Sequence, residues 1–412
     1  MSAFAALGVD ALFVEKLLSR SIRKPSAIQG IVIPKILDGH NVLFSSATGT
    51  GKTFAYLLPV LQMMMAEDEP QALIITPTIE LAVQIKSEVD FLLDGLSRGM
   101  NSALFIGSAN KEKQIESIKM KRAQIIIGNT SRVVQLATEK KLRLNKIRFL
   151  VLDEADRLIS DEMHPQTGEL FHYLNIHRTE PLQCICCSAT MSERTQKKLA
   201  LLLDPKGTNR SSLTEGKAES ALGTLFLESN VNDILQNYIS HWALWSEERD
   251  KPKILRSFLS AARARKTLVF AGGAEEISKL TGILQSHKVK AAALYSGMDK
   301  KLRREALDSF RAGSADVLVS SDLAARGLDI REIKYVVSIG VPADNEIYIH
   351  RAGRTGRAGR RGIIVSIGNE TDLRRLSAIE KSLGIAVYPK ILYNGAIHAP
   401  DELQELEEMK DT

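Results

Sequence analysis

Short apolar runs alternate along this chain with longer stretches in which apolar residues recur at helical spacing. Short continuous apolar runs are typical of strands that are buried on both faces of a parallel sheet. In the first part of the chain the predicted strands are residues 41–45, 72–76, 102–106, 124–128, 147–152, 183–187 and 224–227. The rhythm restarts at Ile234, with predicted strands at 267–270, 291–295, 316–319, 335–339 and 362–366. This pattern predicts an α/β fold of two similar domains, each a mostly parallel sheet with helices on both faces.

A change in composition marks the boundary between the two predicted domains. Residues 204–220 are rich in Lys, Gly, Asn, Ser and Thr and have little apolar content, which predicts a mobile loop. We place the linker near residues 228–233, so the predicted domains are 1–230 and 231–412. Residues 1–24 carry apolar side chains at near-helical spacing, which predicts a helix packed on the first domain.

One predicted strand ends in a cluster of acidic residues. Residues 147–152 are apolar, and Asp153, Glu154 and Asp156 follow directly. Because a buried strand cannot bury charge as well, these acids must emerge at its carboxyl end, where parallel sheets bind ligands. Asp153 suits Mg²⁺, which takes one or two protein carboxylates and keeps most of its waters. Glu154 is placed to orient or deprotonate a water, although acids at strand ends are often only solvated turn residues.

A glycine-rich segment joins the predicted strand 41–45 to a helical run that begins at Phe54. It reads Ser46-Ala47-Thr48-Gly49-Thr50-Gly51-Lys52-Thr53. This segment resembles the P-loop, whose backbone amides wrap phosphate oxygens at a helix N-terminus, although the strict pattern has glycine where Ser46 stands. In a P-loop, Lys52 reaches the β- and γ-phosphate oxygens and the Thr53 hydroxyl is a ligand of Mg²⁺. A P-loop together with an acid-tipped strand predicts a nucleoside triphosphatase.

Three arginines in the second half recur at every third residue, with glycines between them. They are Arg351, Arg354 and Arg357. On a helix or tight turn this spacing puts the guanidinium groups on one side, and guanidinium binds phosphate bidentately. The pattern favours an arginine finger for the transferring γ-phosphoryl group over a generic basic surface patch. Because the P-loop lies in the other half, this hypothesis requires the two domains to close on each other.

Composition narrows the class of protein further. A length of 412 residues, 44% hydrophobic and 25% charged, is typical of a globular protein with two or three domains, and no apolar run is long enough to cross a bilayer. The net charge of +6 permits a polyanionic partner. Aromatic residues make up only 5% of the chain, so we expect contacts with phosphate and ribose to dominate over base reading.

The cysteines and the N-terminus bear on the cellular compartment. Cys184, Cys186 and Cys187 crowd into one apolar predicted strand, which favours buried free thiols in a reducing compartment over a metal site. The N-terminus has acidic residues early and no secretory signal pattern. We therefore expect a cytoplasmic protein, or an organellar one if a transit peptide has been removed.

Taken together, these motifs resemble those of the DEAD-box ATP-dependent RNA helicases, over a match that runs from Phe4 to about Ser366. Residues 153–156 form the motif that names the family. The companion motifs follow in order at residues 25–29, 46–53, 77–82, 188–190, 321–329 and 350–357. The resemblance implies two tandem RecA-like domains with ATP and Mg²⁺ as cofactors. It also implies RNA-stimulated ATP hydrolysis at the cleft between the domains, which drives unwinding or remodelling of RNA duplexes or RNA–protein complexes.

The resemblance also implies roles residue by residue. Residues expected to bind the nucleotide are Phe4, Gln29, Thr48, Gly49, Thr50, Gly51, Lys52, Thr53, Gly327 and Asp329. Thr53 and Asp153 are the expected metal ligands. The expected catalytic residues are Lys52, Asp153, Glu154, Arg354 and Arg357. Residues expected to couple hydrolysis to domain closure are Asp156, Ser188, Thr190, His350 and Arg351. The expected RNA contacts are Pro77, Thr78, Gly107, Arg132, Arg303 and Ser321.

Departures from the family pattern are concentrated on the RNA side. Ile79 replaces the usual arginine, Ser108 replaces the second glycine of a pair, and Ser321 replaces threonine but keeps its hydroxyl. Residues 129–132 read Asn-Thr-Ser-Arg instead of Thr-Pro-Gly-Arg. On the ATP side, Ile22 stands where an aromatic residue is usual. We expect RNA to be bound through its backbone, more weakly or with altered geometry.

Three functions are compatible with these residues. The first is an ATP-dependent RNA helicase that opens short duplexes. The second is an ATP-gated RNA clamp or scaffold with little unwinding, which the altered RNA-side motifs keep open. The third is a DNA-directed motor, which 2′-hydroxyl contacts would exclude. We expect a monomer that binds RNA with weak sequence preference and no membrane, and that is targeted, if at all, by a protein partner.

Overall fold

The computed structural model describes residues 2–46, 49–65, 67–95, 99–107, 109–189, 191–203, 224–228, 231–325, 333–356 and 360–402. The chain divides into two compact units, Met1–Ser229 and Asn230–Thr412. The loop predicted at residues 204–220 lies outside the described residues. Within the described ranges, no helix is both long and apolar enough to span a bilayer.

The first unit alternates strands and helices after an N-terminal helical segment. A 3₁₀ turn, Ala5–Leu7, precedes the first α-helix. The helices are α1 Ala11–Ser19, α2 Ala27–Leu37, α3 Lys52–Met63, α4 Ile79–Leu93, α5 Lys111–Lys121, α6 Thr130–Thr138, α7 Ala155–Leu158, α8 His164–His177 and α9 Glu193–Leu203. The strands are β1 Asn41–Ser45, β2 Ala72–Ile75, β3 Ser102–Phe105, β4 Ile125–Gly128, β5 Phe149–Asp153, β6 Gln183–Ser188 and β7 Thr224–Glu228.

These seven strands form one sheet in the order β3-β4-β2-β5-β6-β1-β7, and neighbouring strands pair in parallel. Alternate side chains of strands β1 to β6 enter two separate cores, one on each face. On β6, for example, Ile185 and Cys187 face the core of α2, α3 and α4, while Cys184 and Cys186 face the other core. Burial on both faces explains why the strands appear in the sequence as continuous apolar runs.

The second unit repeats this architecture. Its helices are α10 Val231–Tyr238, α11 Lys251–Ala261, α12 Ala274–Ser286, α13 Lys300–Ala312, α14 Asp322–Ala325, α15 Asn345–Ala352 and α16 Glu370–Leu383. Its strands are β8 Ile239–Trp245, β9 Thr267–Phe270, β10 Ala291–Leu294, β11 Val317–Ser320, β12 Tyr335–Ile339, β13 Gly362–Gly368, β14 Val387–Pro389, β15 Ile391–Tyr393 and β16 Ala396–His398. The main sheet has the order β10-β11-β9-β12-β13-β8-β14, and β15 and β16 form a separate antiparallel pair.

The predicted fold is confirmed: two mostly parallel sheets with cores on both faces. All the strands that the sequence predicted are present. The sequence did not predict β8, β14, β15 or β16. The N-terminal prediction is confirmed in α1, which buries Phe13 and Leu17 against the first unit, although Leu12 and Leu18 are exposed.

Candidate functional site

The order of strands in the first sheet divides its carboxyl edge into two halves. In one half, β5, β6 and β1 are neighbours, and they end at Asp153, Ser188 and Ser45. In the other half, β3, β4 and β2 are neighbours and lead into Gly107, Asn129 and Thr78. The residues predicted for nucleotide binding and those predicted for RNA binding therefore occupy adjacent stretches of one edge.

The P-loop connects β1 to α3. Gly49 and Gly51 have φ angles of 81° and 91°, in the left-handed region that favours glycine. A Cβ atom at Gly51 would also collide with the side-chain amide of Gln29. The Lys52 ammonium donates to the carbonyl oxygen of Ser46 at 2.7 Å, so the lysine side chain lies against the first residue of the P-loop.

The predicted adenine-recognition residues are buried against the P-loop and its helix. The Gln29 side chain accepts from Ser26 N at 2.9 Å and donates to Gly51 O at 3.0 Å. An amide has two N–H groups and two lone pairs, so one donor and one acceptor remain for a base edge. Phe4 is 1% exposed and packs in the core that contains α2 and α3. Its predicted supporting role agrees with this position and stays a prediction.

Asp153 is held by three donors. Its Oδ2 atom accepts from the Tyr56 hydroxyl at 2.8 Å, and Oδ1 accepts from Cys187 Sγ at 3.0 Å and Glu154 N at 2.9 Å. Burial and the neighbouring Asp153 carboxylate raise the pKa of the Tyr56 hydroxyl well above its ordinary value. Burial, followed by the same carboxylate, raises the pKa of the Cys187 thiol. Both groups therefore stay protonated and donate.

Thr53 and Asp153, the predicted metal ligands, are related through helix α3. Tyr56 lies one turn after Thr53 on this helix and donates to the Asp153 carboxylate. A hydroxyl and a carboxylate at the end of a strand are the hard oxygen donors that suit Mg²⁺. The donor set that the structure brings together thus fits this metal.

Glu154 has a backbone conformation that is uncommon for a residue with a side chain. Its φ and ψ angles are 53° and 52°, in the left-handed region, where it serves as the N-cap of the short helix α7. A non-glycine residue held in this region costs free energy, and such residues cluster at active sites. Asp156 follows in the first turn of α7.

Ser188 lies beside the start of the P-loop. It is fully buried at the end of β6, pairs with Ser45 of β1, and its carbonyl oxygen accepts from Ser46 N at 3.1 Å. Ser188, a predicted coupling residue, is thus hydrogen-bonded through its backbone to the first residue of the P-loop.

The predicted RNA-side residues of the first unit lie around the N-termini of two helices. The Thr78 hydroxyl caps α4 by accepting from Leu81 N at 3.3 Å, directly after Pro77. Arg132 donates through Nη2 to Gly107 O at 3.0 Å, which joins the loop after β3 to α6. Among the described residues, Asn129 Oδ1, Thr130 Oγ1 and Arg132 Nη1 are buried and have no hydrogen-bond partner. This half of the edge therefore contains buried polar groups that are left without a protein hydrogen-bond partner.

In the second unit, the Arg351 guanidinium forms hydrogen bonds with two side chains of the same unit. Its Nε and Nη2 atoms donate to the two carboxylate oxygens of Asp322 at 2.7 and 2.8 Å, and Nη1 donates to Ser338 Oγ. Arg354 is 5% exposed and donates through Nε to His350 O at 3.3 Å. Arg351, Arg354 and His350 lie close together around Asp322.

The two RNA-side residues predicted in the second unit converge on α14. Ser321 Oγ accepts from Ala324 N at 3.3 Å, and Arg303 Nη2 lies 3.5 Å from Ala324 O. The structure thus brings together residues that are 18 positions apart, numbered 303 and 321, at the carboxyl edge of β11.

Several predicted residues lie outside the described part of the chain. They are Thr48, Thr190, Gly327, Asp329 and Arg357, and Ser108 of the altered RNA-side motif.

Sequence reasoning missed Tyr56 and Cys187. The signal in the sequence was faint: a hydroxyl three residues after Thr53 in an apolar helix, and a cysteine directly before Ser188. The prediction of buried thiols is confirmed for all three cysteines. The contact of one of them with Asp153 became visible only in the structure.

Comparison with known proteins agrees with this geometry. Residues 26–199 match the DEAD/DEAH box helicase family, and residues 250–359 match the Helicase conserved C-terminal domain. The probable ATP-dependent RNA helicase YfmL of Bacillus subtilis is 32% identical, over 91% of this chain and 93% of that protein. The DEAD-box ATP-dependent RNA helicase CshC of Bacillus cereus is 31% identical, over 90% of this chain and 88% of that protein.

A solved structure shows the same fold. Saccharomyces cerevisiae Dbp5 bound to RNA and ADP BeF3 is 26% identical, covers 99% of this chain and 98% of its own, and has a TM-score of 0.81. With its family matches, its relatives and its two parallel-sheet units, this chain belongs to the DEAD-box family of ATP-dependent RNA helicases, which are ATP-hydrolysing enzymes.

Proposed function

We propose that this enzyme binds Mg²⁺·ATP at the β5-β6-β1 half of the first sheet edge and RNA at the β3-β4-β2 half. It uses hydrolysis to open short RNA duplexes or to remodel RNA–protein complexes. The observation that carries the proposal is the arrangement of Asp153, Ser188 and the P-loop on three neighbouring strands, on the same sheet edge as the unsatisfied polar groups around Asn129, with β2 between the two groups.

Lys52, the P-loop amides and Gln29 are the groups that bind the nucleotide in this proposal. Lys52 exchanges its present acceptor, the Ser46 carbonyl, for phosphate oxygens. Gln29 offers its remaining amide donor and acceptor to the adenine edge, and Phe4 supports its helix from the core. The relative Dbp5 was solved with ADP BeF3, which supports nucleotide binding here.

Thr53 and Asp153 would hold Mg²⁺, whose positive charge stabilises the charge that develops on the phosphoryl oxygens. Glu154 orients the attacking water and accepts its proton. Arg354 and Arg357 of the second unit stabilise negative charge on the transferring group, an effect on the order of 10³ in rate or more. Gly327 and Asp329 contribute to nucleotide binding. Five residues couple ATP hydrolysis to domain closure in this proposal: Ser188, Thr190, Asp156, His350 and Arg351.

RNA binding rests on helix N-termini rather than on a row of cations. Ile79, where the family has arginine, packs against the core and offers no charge. The groups that remain to bind phosphate oxygens are the backbone N–H groups at the start of α4 and α6 and the side chains of Thr78 and Arg132. Arg303 and Ser321 add backbone contacts in the second unit, and all of these contacts ignore base identity.

A strand-separation assay tests the proposal. A short RNA duplex with a single-stranded overhang should separate when ATP is added, and should not separate with a nonhydrolysable analogue. Binding of RNA that depends on ATP, without strand separation, would support the alternative of an ATP-gated clamp. Unlabelled RNA and DNA of the same sequence should compete unequally for binding. If DNA displaces bound RNA as well as RNA does, the enzyme is not specific for RNA.

We also propose that the enzyme acts as a monomer in the cytoplasm and that a protein partner directs it to its RNA. The net charge of +6 supports binding to a polyanion, and few aromatic residues are available for reading bases. Size-exclusion chromatography with light scattering, with and without RNA, tests the monomer.

A further inference from the structure

The buried Asp153 carboxylate accepts hydrogen bonds from three protein donors. Two donors converge on Oδ1, Cys187 Sγ at 3.0 Å and Glu154 N at 2.9 Å. One donor, the Tyr56 hydroxyl, reaches Oδ2 at 2.8 Å. An ionised carboxylate only accepts hydrogen bonds and has about four lone-pair sites, two on each oxygen. Both sites of Oδ1 are therefore taken, and one site of Oδ2 remains.

Two different elements deliver these donors. Cys187 lies on β6 directly opposite Asp153 of β5 in the register of the sheet, and both side chains point to the face covered by α3. Tyr56 is on α3 itself and is fully buried. Because the Cys187 side chain is fully buried as well, the three groups form one buried cluster beneath the P-loop.

We propose that Tyr56 and Cys187 are positioning residues for Asp153: Cys187, with the Glu154 amide, fills Oδ1 so that the carboxylate is a ligand through Oδ2 alone and favours Mg²⁺ over Ca²⁺, and Tyr56 orients the carboxylate from α3. This inference rests on the proposed role of Asp153 as a metal ligand. Ca²⁺ takes six to eight oxygens and often binds a carboxylate through both of them, whereas Mg²⁺ needs octahedral geometry with one oxygen from each carboxylate. A carboxylate whose Oδ1 is filled by protein donors cannot serve the larger ion in that way.

Tyr56 also ties the carboxylate to the helix that carries the other proposed ligand. Because Thr53 and Tyr56 are both on α3, the hydrogen bond from the Tyr56 hydroxyl to Asp153 Oδ2 fixes Asp153 relative to the helix of Thr53. Groups that orient metal ligands are worth about 10- to 100-fold in metal affinity. Loss of the Tyr56 hydroxyl should therefore weaken metal binding without changing the ligands themselves.

The test measures the affinity of the full-length protein for a fluorescent ADP analogue with Mg²⁺, with Ca²⁺ and without a divalent ion. In the wild type, Mg²⁺ should increase affinity more than Ca²⁺ does. Tyr56→Phe should reduce the Mg²⁺-dependent increase about tenfold. Cys187→Ala should reduce the ratio of the Mg²⁺ increase to the Ca²⁺ increase, whereas Cys187→Ser, which keeps a donor, should restore the wild-type ratio.

Two matched controls separate positioning from packing. Cys186→Ala removes a neighbouring buried thiol that faces the opposite core, and Tyr173→Phe removes a hydroxyl that donates to Ala137 O, on a different helix. Both should keep the wild-type metal ratio. Thermal melts of every variant identify loss of folding, and Tyr56→Phe keeps the test decisive if Cys187→Ala unfolds.

An Asp153→Asn variant separates the role of Asp153 as a metal ligand from the positioning roles of Tyr56 and Cys187. If Asp153→Asn keeps the full Mg²⁺-dependent increase, Asp153 is not a metal ligand and the proposed site is wrong. If Asp153→Asn loses the increase while Tyr56→Phe and Cys187→Ala match the wild type, the inference alone is overturned.

Discussion

At the scale of single residues, the groups of the proposed nucleotide site are hydrogen-bonded to one another. Lys52 donates to Ser46 O, and Gln29 donates to Gly51 O. In the proposed function, nucleotide binding exchanges these hydrogen bonds for new ones, and a hydrogen bond to a charged phosphate contributes about 1.5–3 kcal/mol. Loss of a phosphate on hydrolysis then removes some of these contributions.

His241 in the second unit provides a pH-dependent test of folding. Its Nδ1 lies 2.8 Å from the Tyr348 hydroxyl and its Nε2 lies 2.9 Å from Leu235 O, and burial lowers the pKa of its imidazole below 6.5. The unfolded chain thus takes up the proton more readily than the folded one. The stability that neutral His241 contributes is complete above pH 6.5 and is lost as the pH falls from there through the folded pKa.

We expect thermal stability of the second unit to fall on acidification and to fall less in His241→Gln. The chain has two tryptophans, and both Trp242 and Trp245 lie in β8 next to His241, so tryptophan fluorescence reports on this unit. Exposed His172→Gln is the control and should behave as the wild type. Equal pH dependence in His241→Gln and the wild type would contradict this account.

The residue scale also shows what the sequence could and could not predict. The roles of Lys52, Thr53 and Asp153 stay predictions, but as candidates these residues were predictable, because phosphate and Mg²⁺ chemistry dictates their types and spacing. Tyr56 and Cys187 were not, since they lie 97 and 34 positions from Asp153 and meet it only through the order of the strands. A buried hydroxyl in an apolar helix indicates that a partner exists but does not identify it.

At the scale of elements, one glycine controls how closely two strands approach. Gly128 of β4 pairs with Phe105 of β3, and a Cβ atom at Gly128 would collide with the Phe105 carbonyl oxygen. This pairing holds the part of the edge that carries Gly107 and Asn129.

Gly128→Ala should destabilise the first unit by about 1–3 kcal/mol, because the pair of strands must separate to admit a methyl group. Gly168→Ala is the matched control: Gly168 lies in α8 and an added Cβ meets nothing within 4 Å. It should be neutral or stabilising by up to about 1 kcal/mol. Denaturant unfolding followed by circular dichroism measures both, and equal effects would refute the steric explanation.

The start of α4 offers a gain-of-function test of RNA binding. Ile79→Arg adds a cation at the edge, so affinity for single-stranded RNA should rise several-fold and the salt dependence should steepen by about 0.7 in log–log slope. Val83→Arg, at an exposed position one turn further along α4, adds the same charge away from the edge and should have a smaller effect. Fluorescence anisotropy at several salt concentrations measures the slope. An equal gain from both variants would indicate general charge attraction instead of contacts at this edge.

The elements that sequence reasoning missed have a common cause. β8 alternates buried and exposed side chains around His241 and is not a continuous apolar run. β14, β15 and β16 are each only three residues long, and β14 ends in Pro389. Strands that are short or only half buried leave little hydrophobic signal, and their pairing is decided by the rest of the sheet.

At the scale of the whole molecule, the two units share one strand order. Counted from the first strand of each unit, both sheets run third, fourth, second, fifth, sixth, first and seventh. The sequence predicted two similar domains from rhythm alone, although no repeat is visible in the residues. The likeness lies in topology, while the polar residues at the carboxyl edges differ: acids and a P-loop in the first unit, arginines in the second.

In the proposed function, this chain hydrolyses ATP in response to RNA, and Glu154 activates the attacking water. The most direct measurement is steady-state ATP hydrolysis with Mg²⁺, with and without single-stranded RNA, for the wild type and Glu154→Gln. We predict strong stimulation by RNA in the wild type and almost complete loss of activity in Glu154→Gln, with nucleotide binding retained. Hydrolysis that is indifferent to RNA, or that persists in Glu154→Gln, would contradict the account.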